Sequence, residues 1–158
     1  MKSLMVCLIT LCLVAVSFAS DLGNATPPKD YRCPVCGMYV SMFHDWNARI
    51  KFKDSTVAIF DGPKDMFKYY LDIRNYNPSR SKDEVTAILV KDYYSTTDID
   101  AQQAYFVIWS DIYGPMGHEP IPFEKESDAR EFMREHNGTK ILGFKDVTRE
   151  VILSLDNP

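Results

Sequence analysis

The sequence predicts an α+β fold of two tandem ββαβ units. Three observations carry that reading. Strand-like and helix-like apolar patterns follow one another as strand, strand, helix, strand, and the order occurs twice. Each predicted helix has one apolar face, which a sheet must cover. With 158 residues, 46% apolar and 25% charged, the chain can build one ordinary core, and global disorder is excluded.

The first unit is placed in residues 31–95. In "NARIKF", Ile50 and Phe52 alternate with Arg49 and Lys51, the pattern of a half-buried strand. The charged turn "KDS" leads into the apolar strand "TVAIF". Asp61-Gly62-Pro63 then opens a helix, since proline suits a first turn where its missing N–H is no loss. Met66, Phe67, Tyr70 and Leu71 form its expected buried stripe, and the β-branched "VTAILV" closes the unit as a strand. The polar "RNYNPSRSKDE" between helix and strand reads as a surface loop.

The second unit is placed in residues 101–150. "AYFVIW" is a strand, and "PIPF" is a short one that its prolines confine to an edge or a strand end. Ser127 is the expected N-cap of "DAREFMREH", and Asn137-Gly138 stops that helix in left-handed fashion. "KILGF" is the returning strand, and "REVILSLDNP" reads as a further strand or a frayed tail. The two halves share too little identity to be a sequence repeat; their likeness is one of layout.

The start of the chain has its own character. Lys2 precedes the apolar run Leu4–Val16, and Ser17 and Ala19 suit a signal peptidase site, so residues 1–19 read as an export signal cut before Ser20. The alternative is a retained anchor, although the run is shorter than the ~20 residues a spanning helix needs. Residues 20–30 read as a flexible leader, and 31–158 as the folded domain. Removal of the signal takes Cys7 and Cys12 with it and leaves Cys33 and Cys36, too few for a disulfide framework. Neither departing cysteine is preceded by small residues, so no lipid-attachment site is evident. The net charge of −4 and the absence of a long basic run exclude a nucleic-acid partner.

The chemistry concentrates in "CPVCGM", residues 33–38, and three readings compete for it. As a redox pair, Cys33 and Cys36 would serve a thiol–disulfide oxidoreductase, but such a pair belongs after a strand and at a helix start, and "YVSMFHDW" lacks a helical stripe. As half of a structural zinc site, the cysteines would need His44 and His118, at irregular spacing, giving a zinc-stabilised interaction module; His136 fits the last turn of a helix on electrostatic grounds alone. As a copper site, Cys36 and Met38 offer a thiolate and a thioether, soft donors that select Cu(I). Gly37 between them lets the backbone bend so that both sulfurs face one ion. A methionine such as Met38 also serves as ordinary core filler. A second cluster, "SDIYGPMGHE", carries Met116, His118 and Glu119 on a Gly- and Pro-punctuated loop, where functional groups are common. His118 reads equally as a histidine satisfied by local backbone groups.

Taken in order, "CPVCGM", "FDGPKDMFKYYL", "SDIYGPMGHEPIPF" and "DAREFMREHNGTKILGF" resemble the NosL family of exported copper-binding proteins, from Tyr31 to Thr148. The resemblance implies a fold similar to the organomercurial lyase core and a metallochaperone, not an enzyme. It implies delivery of Cu(I) in the periplasm to an apo-cuproenzyme, nitrous oxide reductase or a relative, through a membrane copper-maturation transporter. By position, the family's Cys-Gly-Met falls on Cys36, Gly37 and Met38, and its Gly-Pro-Met-Gly loop on Gly114–Gly117. Cys36 and Met38 are then the leading ligands, with Met116 and His118 behind them and Met66 weaker. Cys33 is a second thiolate, a transient ligand during handover, or half of a disulfide that disables binding. Family members are typically lipoproteins, a point on which this chain departs and which leaves its tethering open.

Overall fold

The structure, a computed structural model, describes residues 27–156. The expected signal, 1–19, and the leader as far as residue 26 lie outside the described residues. In the first sheet, β1 (Ala48–Phe52) lies between β2 (Val57–Phe60) and β3 (Val85–Lys91), and β4 (Asp98–Asp100) extends the β3 side. In the second, β5 (Tyr105–Ile108) is followed by a small hairpin, β6 (Tyr113–Gly114) and β7 (Gly117–His118). β5 then pairs with β8 (Ile121–Phe123) on one side and β9 (Lys140–Gly143) on the other. All pairings are antiparallel. The helices are α1 (Pro63–Leu71), α2 (Ile73–Tyr76), α3 (Glu126–Glu135) and α4 (Arg149–Ser154). The fold is therefore mixed α and β, with antiparallel sheets and four α-helices among the described residues.

The pleat explains how the layers share one molecule. Successive residues of a strand face opposite sides. Phe106 and Ile108 of β5 join the main core with the first sheet and α1, while Val107 between them joins a second cluster with Ala129 and Phe132 of α3. Both faces of the second sheet are thus covered, which is why β5 reads as an unbroken apolar run. Phe67 of α1 links the halves: its ring lies 5.1 Å from both Phe106 and Phe144. Burial of one such side chain contributes about 1.5–3 kcal/mol.

Several elements differ from their sequence reading, each for a physical reason. Arg49 is buried instead of facing water, because β1 is a central strand and the Arg49 guanidinium reaches Asp98 Oδ2 at 2.8 Å, where Lys91 also pairs. On α1 the buried stripe includes Tyr69, which packs on Phe60 and Tyr76, while Tyr70 and Leu71 are half-buried. The expected loop "RNYNPSRSKDE" contains α2 and a single 3-10 turn, Lys82–Glu84. It is held down by Arg80, which donates to Asp54 at 2.6 Å and lies over the Phe52 ring. Lys125, not Ser127, precedes α3 as its N-cap residue. The end of the chain is helical: Thr148 accepts the Val151 N–H at 3.4 Å, and Ile152 and Leu155, three residues apart on one face, enter the main core. Pro122 does sit on an edge strand, β8, where no donor is missed.

Asp92, in the turn after β3, ties the two sheets together. It accepts the Ser95 N–H and hydroxyl at 2.8 and 2.9 Å and the Glu124 N–H at 2.8 Å, while Tyr93 donates to the Pro122 carbonyl. Burial pushes this carboxyl up, but the donors from Glu124 and Ser95 outweigh it and hold it below the usual carboxylate range. Its stabilisation is therefore full above the ordinary aspartate range and fades as pH falls through the lowered value. Asp92→Ala should lower stability by about 1–3 kcal/mol in denaturant unfolding, with a smaller loss near pH 2–3 than at neutrality (about 3.9 being the unfolded value). The exposed Asp83→Ala should leave stability within about 0.5 kcal/mol of the parent.

Candidate metal centre

The segment "CPVCGM" is a tight turn. The Gly37 N–H donates to the Cys33 carbonyl at 2.9 Å and the Cys33 N–H to the Met38 carbonyl at 2.8 Å. Gly37 has φ +78°, a left-handed conformation that an L side chain adopts only with strain. Arg32 fastens the turn from outside, donating to the Gly37 carbonyl at 2.9 Å and to the Tyr39 hydroxyl at 2.6 Å. This arrangement buries Cys33 and leaves Cys36 and Met38 half-exposed at the rim.

Facing the turn is the entrance of α1. Asp61 ends the β2 segment, and Asp65 lies four residues on, in the first turn of the helix. The Cys33 thiol donates to Asp65 Oδ2 and the Cys36 thiol to Asp61 Oδ2, each at 3.3 Å. One ligand atom from each of these four residues lies within 4.8 Å of all the others. Both carboxylates are 0% exposed, and the Oδ1 atom of each has no hydrogen-bond partner. Burial pushes both thiols up, Cys36 to about 12 and Cys33 further, and the adjoining aspartates add to the effect. Asp65 is likewise raised, by burial first and by the charge of Asp61.

A third carboxylate completes the surroundings. Glu119 follows the β6–β7 hairpin and is buried against the same helix end, where its Oε2 accepts the Lys64 N–H at 2.7 Å and its Oε1 the Met116 N–H at 3.3 Å. Gly62 at the N-cap has no side chain with which to cap α1, so Glu119 caps it from another part of the chain. A Cβ at residue 62 would stand 3.0 Å from Glu119 Oε1, a tight contact that glycine avoids. Burial drives the Glu119 carboxyl up to about 8, against the pull of Lys64. Lys64, itself 1% exposed, donates to the Met116 carbonyl and pairs with Asp156 at 3.0 Å.

The expected site residues are thus placed as follows. Cys33 and Cys36 come together, with Met38 in the same turn. Met116 is tied by its backbone to Lys64 of α1 and to Glu119. The His118 ring lies between Trp109 and Tyr113, 4.8 and 4.6 Å away, its buried Nδ1 without a partner, outside the four-residue group. Met66 is fully buried in the main core, its role there one of packing. A Cys2His2 zinc site does not form, because His44 is exposed and aspartates occupy the places beside the thiols. His136 pairs with Asp111 at 3.0 Å at the end of α3. Asp61 and Asp65 escape a sequence reading because acids at a helix start already have an electrostatic reason to be there. Their spacing of four, opposite Cys-x-x-Cys, is the one signal that points to them.

Two thiols set against two buried carboxylates make the donor set of a metal-binding protein. The chain matches the NosL family over residues 24–152 and belongs to it. Its fold is similar to that of the crystal structure of the copper chaperone NosL from Shewanella denitrificans, at 23% identity and a TM-score of 0.66. That match covers 81% of this chain and 98% of the other. A further match is the solution structure of apo-NosL from Achromobacter cycloclastes, at 24% identity and a TM-score of 0.47, covering 66% of this chain and 87% of that one. No curated protein matches the sequence.

Removal of Glu119 strands the buried Lys64 N–H at the start of α1 and the half-buried Met116 N–H. Glu119→Ala should then destabilise the protein by about 1–3 kcal/mol in urea unfolding. Glu119→Gln, which keeps a carbonyl acceptor, should lose less.

Proposed function

We propose that the chain is a Cu(I) metallochaperone, a carrier and not an enzyme, that holds copper as cargo on Cys36, Met38 and Cys33. The observation that carries this reading is the seating of two thiols side by side in one partly covered pocket, with Met38 on the same turn. Thiolate and thioether are soft donors suited to monovalent copper, and two or three of them suffice for it. Family membership and the likeness to a structure described as a copper chaperone support the same reading. Met116 and His118, on the hairpin docked beside α1, are the secondary ligand candidates, available if the loop shifts during loading or handover.

The oxidoreductase reading is disfavoured by the thiols themselves. A redox cysteine is activated by a lowered pKa at a helix N-terminus, whereas here burial and carboxylates raise both, and the turn leads into a short 3-10 helix, Val40–Met42. A protonated, shielded pair suits a carrier that must survive empty in an oxidising compartment. In this reading residues 1–19 are an export signal, the leader follows, and 31–158 work in the periplasm or cell envelope. The copper would pass to an apo-cuproenzyme, nitrous oxide reductase or a relative, by way of a membrane maturation transporter. Among the described residues no helix is long and apolar enough to cross a membrane. We also read the two sheets as two ββαβ units, 31–95 and 101–150, like the organomercurial lyase core. In each sheet the first strand is central and is flanked by its successor and by the strand after a helix.

Titration of the reduced, metal-free protein with Cu(I) against a competing chelator tests the proposal. About one tight site is expected. Cys36→Ser should weaken it by more than about 100-fold and Met38→Ala by about 10-fold, given that even outer-sphere changes lower metal affinity by about 10–100-fold. Affinity should fall as pH falls, because the metal competes with protons for sulfur. Wild-type affinity in both variants, or no dependence on pH, would contradict sulfur ligation.

A further inference from the structure

Lys64 takes no part in the proposed copper site, yet its side chain is 1% exposed. An ammonium in such a place is destabilising unless it is paired and hydrogen-bonded. Its Nζ pairs with Asp156 Oδ1 at 3.0 Å and donates to the Met116 carbonyl. Asp156 follows α4, and Ile152 and Leu155 just before it are fixed in the main core. Its Oδ2 pairs at 2.9 Å with Lys68, which stands one turn after Lys64 on α1. Burial pushes the Asp156 carboxyl up, but Lys68 and Lys64 outweigh it and hold it below the usual range, so it faces Lys64 as a carboxylate.

Met116 lies at the tip of the β6–β7 hairpin, between Gly114 and Gly117, which pair with each other. Strands of two residues do not hold a hairpin in place by themselves, so its position comes from contacts outside it. At the base, the His118 ring lies between those of Trp109 and Tyr113, and Gly114 lies close against Trp46 and the Glu119 side chain. At the tip, both polar atoms of the Met116 backbone lead to one residue of α1. The carbonyl accepts from Lys64 Nζ, and the N–H donates to Glu119 Oε1, while Glu119 Oε2 accepts the Lys64 N–H. Three hydrogen bonds thus close a ring through Lys64, Met116 and Glu119.

We propose that Lys64 is the positioning residue of the β6–β7 hairpin, fixing where Met116 and His118 stand against α1, and that Asp156 keeps its ammonium in that place. Through Asp156 the end of α4 bears on the hairpin. The consequence for copper rests on the proposed carrier function, in which Met116 and His118 are secondary donors. A donor held in place acts chiefly on how slowly the ion leaves, not on how fast it arrives.

The test measures backbone order by nuclear magnetic relaxation of the reduced, metal-free full chain. In the wild type the Met116 N–H should have the order parameter of a rigid backbone, about 0.85. Lys64→Met keeps the apolar stem and removes the charge, and Asp156→Asn removes only the charge that holds it. In both, the value at Met116 should fall to about 0.6 or below while that of Phe106 in β5 stays near the rigid value. Asp156→Glu, which keeps the carboxylate, should restore order at Met116. Lys68→Met, which breaks the other half of the Asp156 pair, should leave it unchanged. Because Lys64→Met could lose its fold, the wild-type value and the Asp156 variants decide without it. A mobile Met116 in the wild type, a hairpin still rigid in the folded variants, or loosening that extends to Phe106 or occurs equally in Lys68→Met would overturn the proposal. For copper, the Cu(I) dissociation rate should rise by about 10-fold in Lys64→Met with association unchanged. Release of the hairpin without that rise would remove Met116 and His118 from the copper reading and leave their positioning by Lys64 standing.

Discussion

The entrance of α1 is the constraint on which the site depends. Pro63 fixes the first helical position, and Gly62 before it leaves room for the carboxylate of Glu119. That carboxylate caps the helix from the far side of the chain and brings the β6–β7 hairpin with it. Asp61 and Asp65 flank the same turn and face the thiols of Cys36 and Cys33. Three buried acids around one helix end would repel one another strongly if all were ionised. The positive end of the helix, the buried Lys64 and the protons on the two thiols oppose that repulsion. The end of β2 and the start of α1 thus supply the carboxylates, the "CPVCGM" turn the thiols, and Glu119 from the second half of the chain caps the helix between them.

Much of this was legible in the residues, for reasons that differ by element. β3, β5 and β9 announced themselves as apolar runs bounded by turn-forming residues, and β1 by the alternation of Ile50 and Phe52 with Arg49 and Lys51. β4 and the β6–β7 hairpin did not, since strands of two or three residues leave no periodicity to read. The helix α4 was missed because its apolar residues, Val151, Ile152 and Leu153, are consecutive and show no helical period, and its Thr148 cap is a weak signal alone. The thiol pair and Met38 were evident from their spacing. The roles of Asp61, Asp65 and Glu119 were not, Glu119 being noted only as part of its loop, because each acts through a partner distant in sequence: residues 25, 32 and 55 positions away. A single sequence does not display such pairings. Met66, expected in the buried stripe of α1 and named also as a weaker ligand, lies fully buried in the main core.

The pocket combines two kinds of donor that ordinarily serve different ions. Its sulfurs are soft donors, and its carboxylates are hard acceptors that take the hydrogen bonds of both thiols. One thiol is buried and the other half-exposed, so Cys36 and Met38 lie nearer to solvent than Cys33. Rigidity comes from the Gly37 turn and from Arg32, which clasps it without touching the sulfurs.

The central claim is that the two cysteines of the empty protein are neutral thiols seated against carboxylates. The most direct measurement is the pH dependence of the Cβ carbon chemical shift of Cys33 and Cys36, by nuclear magnetic resonance of the reduced, metal-free chain. Both should keep thiol values well above the ordinary cysteine range, with Cys36 turning only near pH 12 and Cys33 later still. A shift to the thiolate value in either residue at or below about 8.5, the value of a free cysteine, would contradict this seating and the site built on it.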